Sequence, residues 1–224
     1  MRLILPLLAA IAICRTLAAQ VEISFPTQDG GVVYADLYGT GEKAVVLAHG
    51  GQFNKESWAK QAHILVEAGY RVLAIDFRGY GKSHGPGDTH VLSAPLQLDV
   101  LAAVRYLHKA GARAVSIVGG SMGGSAAGDA SIESEPGEID RLVLLSAAPN
   151  EPAEKLKSPV LFILARDDAD ADALRLPEIQ RQYDRAPQPK EFILLDGSAH
   201  AQYLFDTPQA DRVMRDILRF LAGK

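Results

Sequence analysis

The chain has 224 residues, a formal net charge of −4 at pH 7, 48% hydrophobic and 22% charged residues, and one cysteine. This length suits a single domain whose core needs no disulfide or metal to hold it together. The acidic balance argues against a general nucleic-acid binder, and a lone cysteine leaves no internal disulfide.

The first twenty residues, MRLILPLLAAIAICRTLAAQ, place one early cation, Arg2, before an apolar run from Leu3 to Ile13 and then Leu17-Ala18-Ala19. That order is the order of a secretory signal cleaved near Ala19, and the run is short for a bilayer span. The expectation is a signal peptide over 1–19 and one domain over 20–224, secreted or periplasmic, with no stable membrane anchor after processing. Cleavage would remove Cys14, so the mature chain would carry no thiol nucleophile.

Next come VEISF (21–25) and VVYADLY (32–38), which alternate with period two and predict antiparallel strands. KAVVLAHG (43–50), RVLAIDF (71–77), AVSIVGGS (114–121), RLVLLSAA (141–148), PVLFILARDD (159–168) and KEFILLDGS (190–198) are continuous apolar runs. Strands buried on both faces of a parallel sheet read this way. Helical stripes lie between them. Trp58, Ala62, Leu65 and Val66 share a face over 56–68, and Gly69 supplies the stop. Over 94–109 the stripe is Leu96, Val100, Val104 and Leu107, with Ser93 as the expected cap. After Thr207-Pro208 it is Val213, Met214, Ile217, Phe220 and Leu221. This alternation predicts an α/β fold: a doubly wound, mostly parallel sheet with helices on both faces.

Ligands of such sheets bind beyond the C-terminal strand ends, so the residues that close each apolar run are the ones to read for chemistry. Gly119-Gly120-Ser121-Met122-Gly123 fits G-x-S-x-G between a strand and a helix. A sharp turn there lifts the serine hydroxyl out at the top of the sheet, and glycines two residues before and after relieve the crowding. Gly81-Lys82-Ser83-His84-Gly85 fits the same pattern, but a loop follows it. A phosphate loop fails at the same place, because its first glycine would fall on Asp76. No dinucleotide-type G-x-G-x-x-G stands at 119–124, and the aspartates of 167–172 lack the spaced Gly and terminal Glu of an EF-hand calcium loop, so the expectation is no cofactor and no metal.

A serine hydroxyl needs a base, and His200, in the loop after the last strand, is the best-placed histidine. His49 reads as structural, His63 and His108 as helical, and His84 and His90 as loop residues. The base in turn needs an acid to fix its tautomer. Asp168 is favoured from the run Asp167, Asp168, Asp170 and Asp172, with Asp170 second; most of this run must be solvated loop. The backbone N–H of Met122 is one natural donor to a developing oxyanion, and the loop at Gly51 and Gln52 offers the other, with Gly51 preferred.

The segments HGG (49–51), DFRGYGKS (76–83), GGSMGG (119–124), ARDD (165–168) and GSAH (197–200) resemble, in order and spacing, the α/β-hydrolase superfamily. The resemblance implies an eight-stranded, mostly parallel sheet with Ser121 as nucleophile, Asp168 as acid and His200 as base. Serine at the nucleophile position departs from the dehalogenase and epoxide-hydrolase branches. Only Asn150 to Ser158 separates two strands where many relatives insert a helical cap. An average helix alone takes about 11–12 residues, so a capless, open and shallow site is expected.

The expectation is a serine hydrolase that cleaves carboxylic esters through an acyl-enzyme; thioesters and amides share the machinery. Two alternatives stay open: an acyltransferase or perhydrolase on the same triad, and a non-catalytic binding protein on the same scaffold. The partner is a small ester or acyl substrate. Acyl and alcohol specificity, oligomeric state and pocket residues lie beyond the sequence.

Overall fold

A computed structural model describes residues 20–87, 91–171 and 173–223. The expected signal segment, Cys14, His90 and Asp172 lie outside the described residues.

The chain opens with a hairpin, β1 (Val21–Pro26) and β2 (Val32–Tyr38), paired antiparallel as the period-two patterns require. The continuous apolar runs become β3 (Lys43–Ala48), β4 (Arg71–Ile75), β5 (Ala114–Gly120), β6 (Leu142–Leu145) and β7 (Val160–Ala165). A two-stranded ribbon, β8 (Ala169–Asp170) with β9 (Ala173–Leu174), follows, and β10 (Lys190–Leu195) closes the sheet. The eight-stranded order is β1-β2-β4-β3-β5-β6-β7-β10. Its first two pairings are antiparallel and the other five parallel.

Alternate residues of each central strand feed opposite cores. On one face Val115, Ile117, Leu142, Leu144 and Phe162 meet helices α2 (Gln97–Lys109), α3 (Met122–Glu133) and α4 (Leu176–Arg185). On the other, Val118, Val143, Leu145, Leu161 and Ile163 meet α1 (Ala59–Glu67) and α5 (Ala210–Leu221). Both faces of the central strands are therefore dry, which is why their sequences show no polar alternation.

Two local expectations are corrected. The 56–68 stripe divides into a 3₁₀ turn, Lys55–Trp58, whose Ser57 N–H is capped by Asn54 Oδ1 at 3.2 Å, and then α1. Ser93 does not cap α2. It sits in a separate 3₁₀ turn, Val91–Ser93, and α2 starts at Gln97 with no side-chain cap on Leu96. Pro95 intervenes, and proline disfavours helical backbone in the residue before it, so the helix cannot run back to Ser93.

The order reverses at β3, which lies between β4 and β5. Chain leaving β3 runs to α1 on one face and chain leaving β5 runs to α3 on the other, so a crevice opens at the C-terminal ends of β3 and β5. HGG leaves one of these strands and GGS the other. No cap domain is inserted among the described residues: between β6 and β7 there is only a 3₁₀ turn, Ala153–Lys155.

Candidate active site

Strand β5 ends at Gly120 and α3 begins at Met122, so Ser121 alone makes the turn. Its backbone lies at φ 49°, ψ −120°, a strained region for a residue with a side chain. The turn is pinned at both ends. Ser121 N–H donates to Leu145 O, and Ser121 O accepts from Ser125 N–H, each at 2.9 Å. A Cβ on Gly119 would lie 2.5 Å from Gly123 O, and one on Gly123 would lie 2.4 Å from Ala48 O. These close approaches are what the flanking glycines permit.

His200 lies between the turn and a buried carboxylate. Its Nε2 is 2.8 Å from Ser121 Oγ, and its Nδ1 is 3.0 Å from each oxygen of Asp168. In this arrangement the Nδ1–H donates to Asp168, leaving Nε2 free to accept from the serine hydroxyl. Asp168 is fully buried. Its N–H donates to Ala165 O at 3.2 Å and its C=O accepts from Arg175 N–H at 2.9 Å, where the β8–β9 ribbon brings the chain back. Arg175 Nε stands 3.5 Å from Asp168 Oδ1, while its Nη2 pairs with Asp170 Oδ2 at 3.2 Å. Asp167 and Asp170 are exposed, and neither is brought to His200.

After β10 the chain reaches His200 and turns sharply at Ala201, whose φ is 50°. The Ala201 N–H donates to Ser146 Oγ at 2.9 Å, and Ser146 is itself held at φ 51°. Two left-handed, non-glycine residues thus lock to each other behind the histidine.

The oxyanion candidates face the same crevice. Met122 is the first residue of α3, and a helix's first N–H groups have no acceptor within the helix. The helix N-terminus also favours negative charge there. Gly51 is exposed, and its carbonyl accepts from the Tyr80 hydroxyl at 2.8 Å. The preceding Gly50 N–H donates to Gln202 Oε1 at 2.7 Å. Tyr80, Gln202, Ser146 and Arg175 were not singled out in these roles by the sequence, which carries no spacing signal for partners so far apart.

The other histidines stand elsewhere. His49 is wholly buried; its Nδ1–H donates to Gly50 O at 2.9 Å and its Nε2 accepts from Phe77 N–H at 3.3 Å. Burial pushes its pKa below the ordinary value, so this ring is neutral. His63 packs edge-on to Tyr38, and both ring nitrogens of His108 face backbone carbonyls. The second G-x-S-x-G serine, Ser83, is buried with its Oγ accepting from Tyr34 N–H at 2.8 Å.

Two clefts meet at Ser121. One, of about 370 Å³, runs past Ser125 and Asn150 to Arg175 and Glu178. The other, of about 280 Å³, shares Met122 and Ser125 and ends at Leu96 and Ala126. The Phe53 and Tyr203 rings pack with centroids 5.0 Å apart and planes tilted by 59°, whereas Trp58 belongs to the core.

A family model described as the alpha/beta hydrolase fold matches residues 43–202. The chain is 28% identical to a non-heme chloroperoxidase of Streptomyces lividans, over 81% of this chain and 57% of that protein. It is 35% identical to a 2-hydroxy-6-oxononadienedioate/2-hydroxy-6-oxononatrienedioate hydrolase of Burkholderia vietnamiensis, over 54% of this chain and 42% of that one. The chain therefore spans only about half the length of these curated relatives. Among solved structures, the Pyrococcus furiosus esterase Pf2001 superposes with a TM-score of 0.77 at 20% identity, covering 92% of this chain and 93% of that one. A predicted CIB-like hydrolase from Thermoplasma acidophilum gives 0.74 at 20% identity, covering 92% and 100%.

Proposed function

Because this chain belongs to the alpha/beta hydrolase fold family, we propose that it is a secreted serine hydrolase that cleaves carboxylic esters through an acyl-enzyme intermediate. The observation that carries this reading is the imidazole of His200, within 2.8 Å of Ser121 Oγ on one side and 3.0 Å of both Asp168 oxygens on the other. The secreted location rests on the leader-like first nineteen residues alone.

In the first step Ser121 Oγ attacks the ester carbonyl and His200 Nε2 takes its proton. Asp168 holds the ring in the required tautomer and stabilises the imidazolium as it forms. The N–H groups of Met122 and Gly51 receive the carbonyl oxygen as it becomes negative; such donors are typically worth ~3 kcal/mol each. Collapse expels the alcohol, which takes the proton from His200. Water then attacks the acyl group, with His200 again as base, and releases the acid. The two clefts that meet at Ser121 suit the two halves of an ester.

The likeness to proteins named non-heme chloroperoxidase favours a second reading. In it, hydrogen peroxide instead of water intercepts the acyl-enzyme, giving a peracid and free Ser121. The deciding experiment labels the protein with a fluorophosphonate and then assays p-nitrophenyl esters of increasing chain length, with and without peroxide. Label on Ser121 and ester turnover that both vanish in Ser121→Ala, with an unchanged melting curve, are the expected results. Turnover that survives Ser121→Ala would overturn the assignment. Peracid formed at the expense of acid would favour the second reading.

A further inference from the structure

With the hydrolase reading as its premise, we infer that Gln202 is a positioning residue: it ties the oxyanion-binding loop at Gly50-Gly51 to the loop that carries His200. Gln202 touches none of the reacting atoms. Its action would be on where the Gly51 N–H points.

Two adjacent glycines follow β3, and glycine tolerates nearly any backbone conformation, so nothing intrinsic to Gly50-Gly51 fixes its amide directions. Contacts must fix them. The Gly50 N–H donates to Gln202 Oε1 at 2.7 Å. The Gly50 carbonyl accepts from His49 Nδ1–H at 2.9 Å and from Phe53 N–H at 3.0 Å. The Gly51 carbonyl accepts from the Tyr80 hydroxyl at 2.8 Å. Among the described residues, the Gly51 N–H is the one polar group of this pair without a protein acceptor. It is therefore the group left for a substrate oxygen, and it is left so because the other three are held.

Gln202 is the one of these holders that comes from the far end of the chain. Its amide is buried at 6% exposure, and its Nε2 donates to Ser57 Oγ at 2.7 Å, which in turn donates to Asn54 O at 2.6 Å. Both ends of the amide are used, so its orientation is set by the network. Only Ala201 separates Gln202 from His200, and the left-handed turn at Ala201, bonded to Ser146, sends the two side chains to their separate partners. One rigid turn thus aims the base at Ser121 and clamps the loop that carries the second oxyanion donor.

The test compares wild type with Gln202→Met, which keeps the length but has no carbonyl acceptor, and with Gln202→Glu, which keeps one. The readouts are p-nitrophenyl acetate kinetics, the pH profile of kcat/KM, and affinity for a phenylboronic acid, which mimics the tetrahedral state. Removing an oxyanion donor outright typically lowers kcat about 10²–10³-fold, so a donor that is merely loosened should lower it about 10–100-fold. In Gln202→Met, kcat should fall by that amount with KM nearly unchanged and boronate affinity falling in parallel. The pH midpoint set by His200 should stay in place, and Gln202→Glu, which keeps the acceptor for Gly50 N–H but cannot donate to Ser57, should recover part of the rate. Wild-type kcat and boronate affinity in a folded Gln202→Met would overturn the inference. If that variant does not fold, Ser57→Ala removes only the far anchor. A several-fold loss of kcat at a fixed pH midpoint then supports the inference, and an unchanged kcat overturns it. A wild-type protein that neither turns over ester nor takes the fluorophosphonate defeats the hydrolase reading itself, and the inference with it. An active wild type with indifferent variants defeats the inference alone.

Discussion

A β-carbon on Gly119 would stand 2.5 Å from the carbonyl oxygen of Gly123, four residues later in the chain. Backbone, not a flexible side chain, occupies that space, so the clash cannot be relieved by a rotamer change. Overpacking of this kind typically costs 1–3 kcal/mol, and Gly119→Ala is expected to lose about that much in urea denaturation. Gly51→Ala is the contrast. Its nearest neighbour would be 3.7 Å away, so stability should stay within about 0.5 kcal/mol of wild type. Equal losses for the two variants would refute the crowding account of the Ser121 turn.

The choice between Asp168 and Asp170 is open to direct measurement. Asp168 is fully buried against His200, whereas the Asp170 side chain is 75% exposed and pairs with Arg175. Asp168→Asn should leave the fold intact and lower kcat by about 10⁴, because an amide cannot hold the histidine in its catalytic tautomer. Asp170→Asn should change kcat by less than about threefold, since exposed ion pairs contribute little. The reverse pattern would move the acid to Asp170.

Away from the crevice, Arg78 joins the first loop to α2. Its Nη1 is 2.6 Å from Asp29 Oδ2, and its Nε and Nη2 reach Asp99 Oδ1 at 2.9 and 2.7 Å. Asp99 is fully buried. Arg78→Met would strand that carboxylate, and loss of one partner of a buried pair typically costs about 3–5 kcal/mol. A melting temperature unmoved by Arg78→Met would show that the pair adds nothing.

The same contact gives a pH signature. The Arg78 hydrogen bond holds the Asp29 carboxyl well below the usual carboxylate range. A group with a depressed folded-state pKa stabilises the fold above its unfolded value, here 3.8, and that stability is lost as pH falls through the folded value. Asp29→Asn should therefore be less stable than wild type at neutral pH, and the gap should close as the pH drops below about 3.8. A gap that stays constant with pH would rule this linkage out.

His49 should act on stability at milder pH. Its folded-state pKa lies below its ordinary value of 6.5 because the ring is buried. The unfolded chain then takes up a proton first as pH falls through 6.5, and the folded state loses ground. Urea midpoints measured from pH 7.5 to 5 should decline more steeply in wild type than in His49→Gln. Parallel slopes would exclude His49 as the source.

What the sequence displayed, and what it hid, follows from the range of each interaction. The central strands were legible because burial on both faces leaves unbroken apolar runs such as VLFILA in β7. Ser121, Asp168 and His200 could be picked out because each ends such a run, and strand ends of one sheet gather at one rim. The ribbon after Asp168 was not foreseen, being a pair of two-residue strands whose residues are exposed. Helix α4 also went unread: in LPEIQRQYDR only Ile179 is fully buried, so its apolar stripe is thin. Gln202 and Tyr80 were beyond reach for a different reason. Their partners, Gly50 and Gly51, show no pattern of spacing with them, and a polar side chain that satisfies a distant amide looks in sequence like any surface residue.

Among the described residues, the short link between β6 and β7 places no cap over Ser121. In lidded enzymes a door decides which nucleophile enters and when product departs. On the proposed acyl-enzyme route that decision would fall to the solution itself: the fate of a bound acyl group should track the bulk ratio of water to alcohol or peroxide, and turnover should carry no signature of a gate.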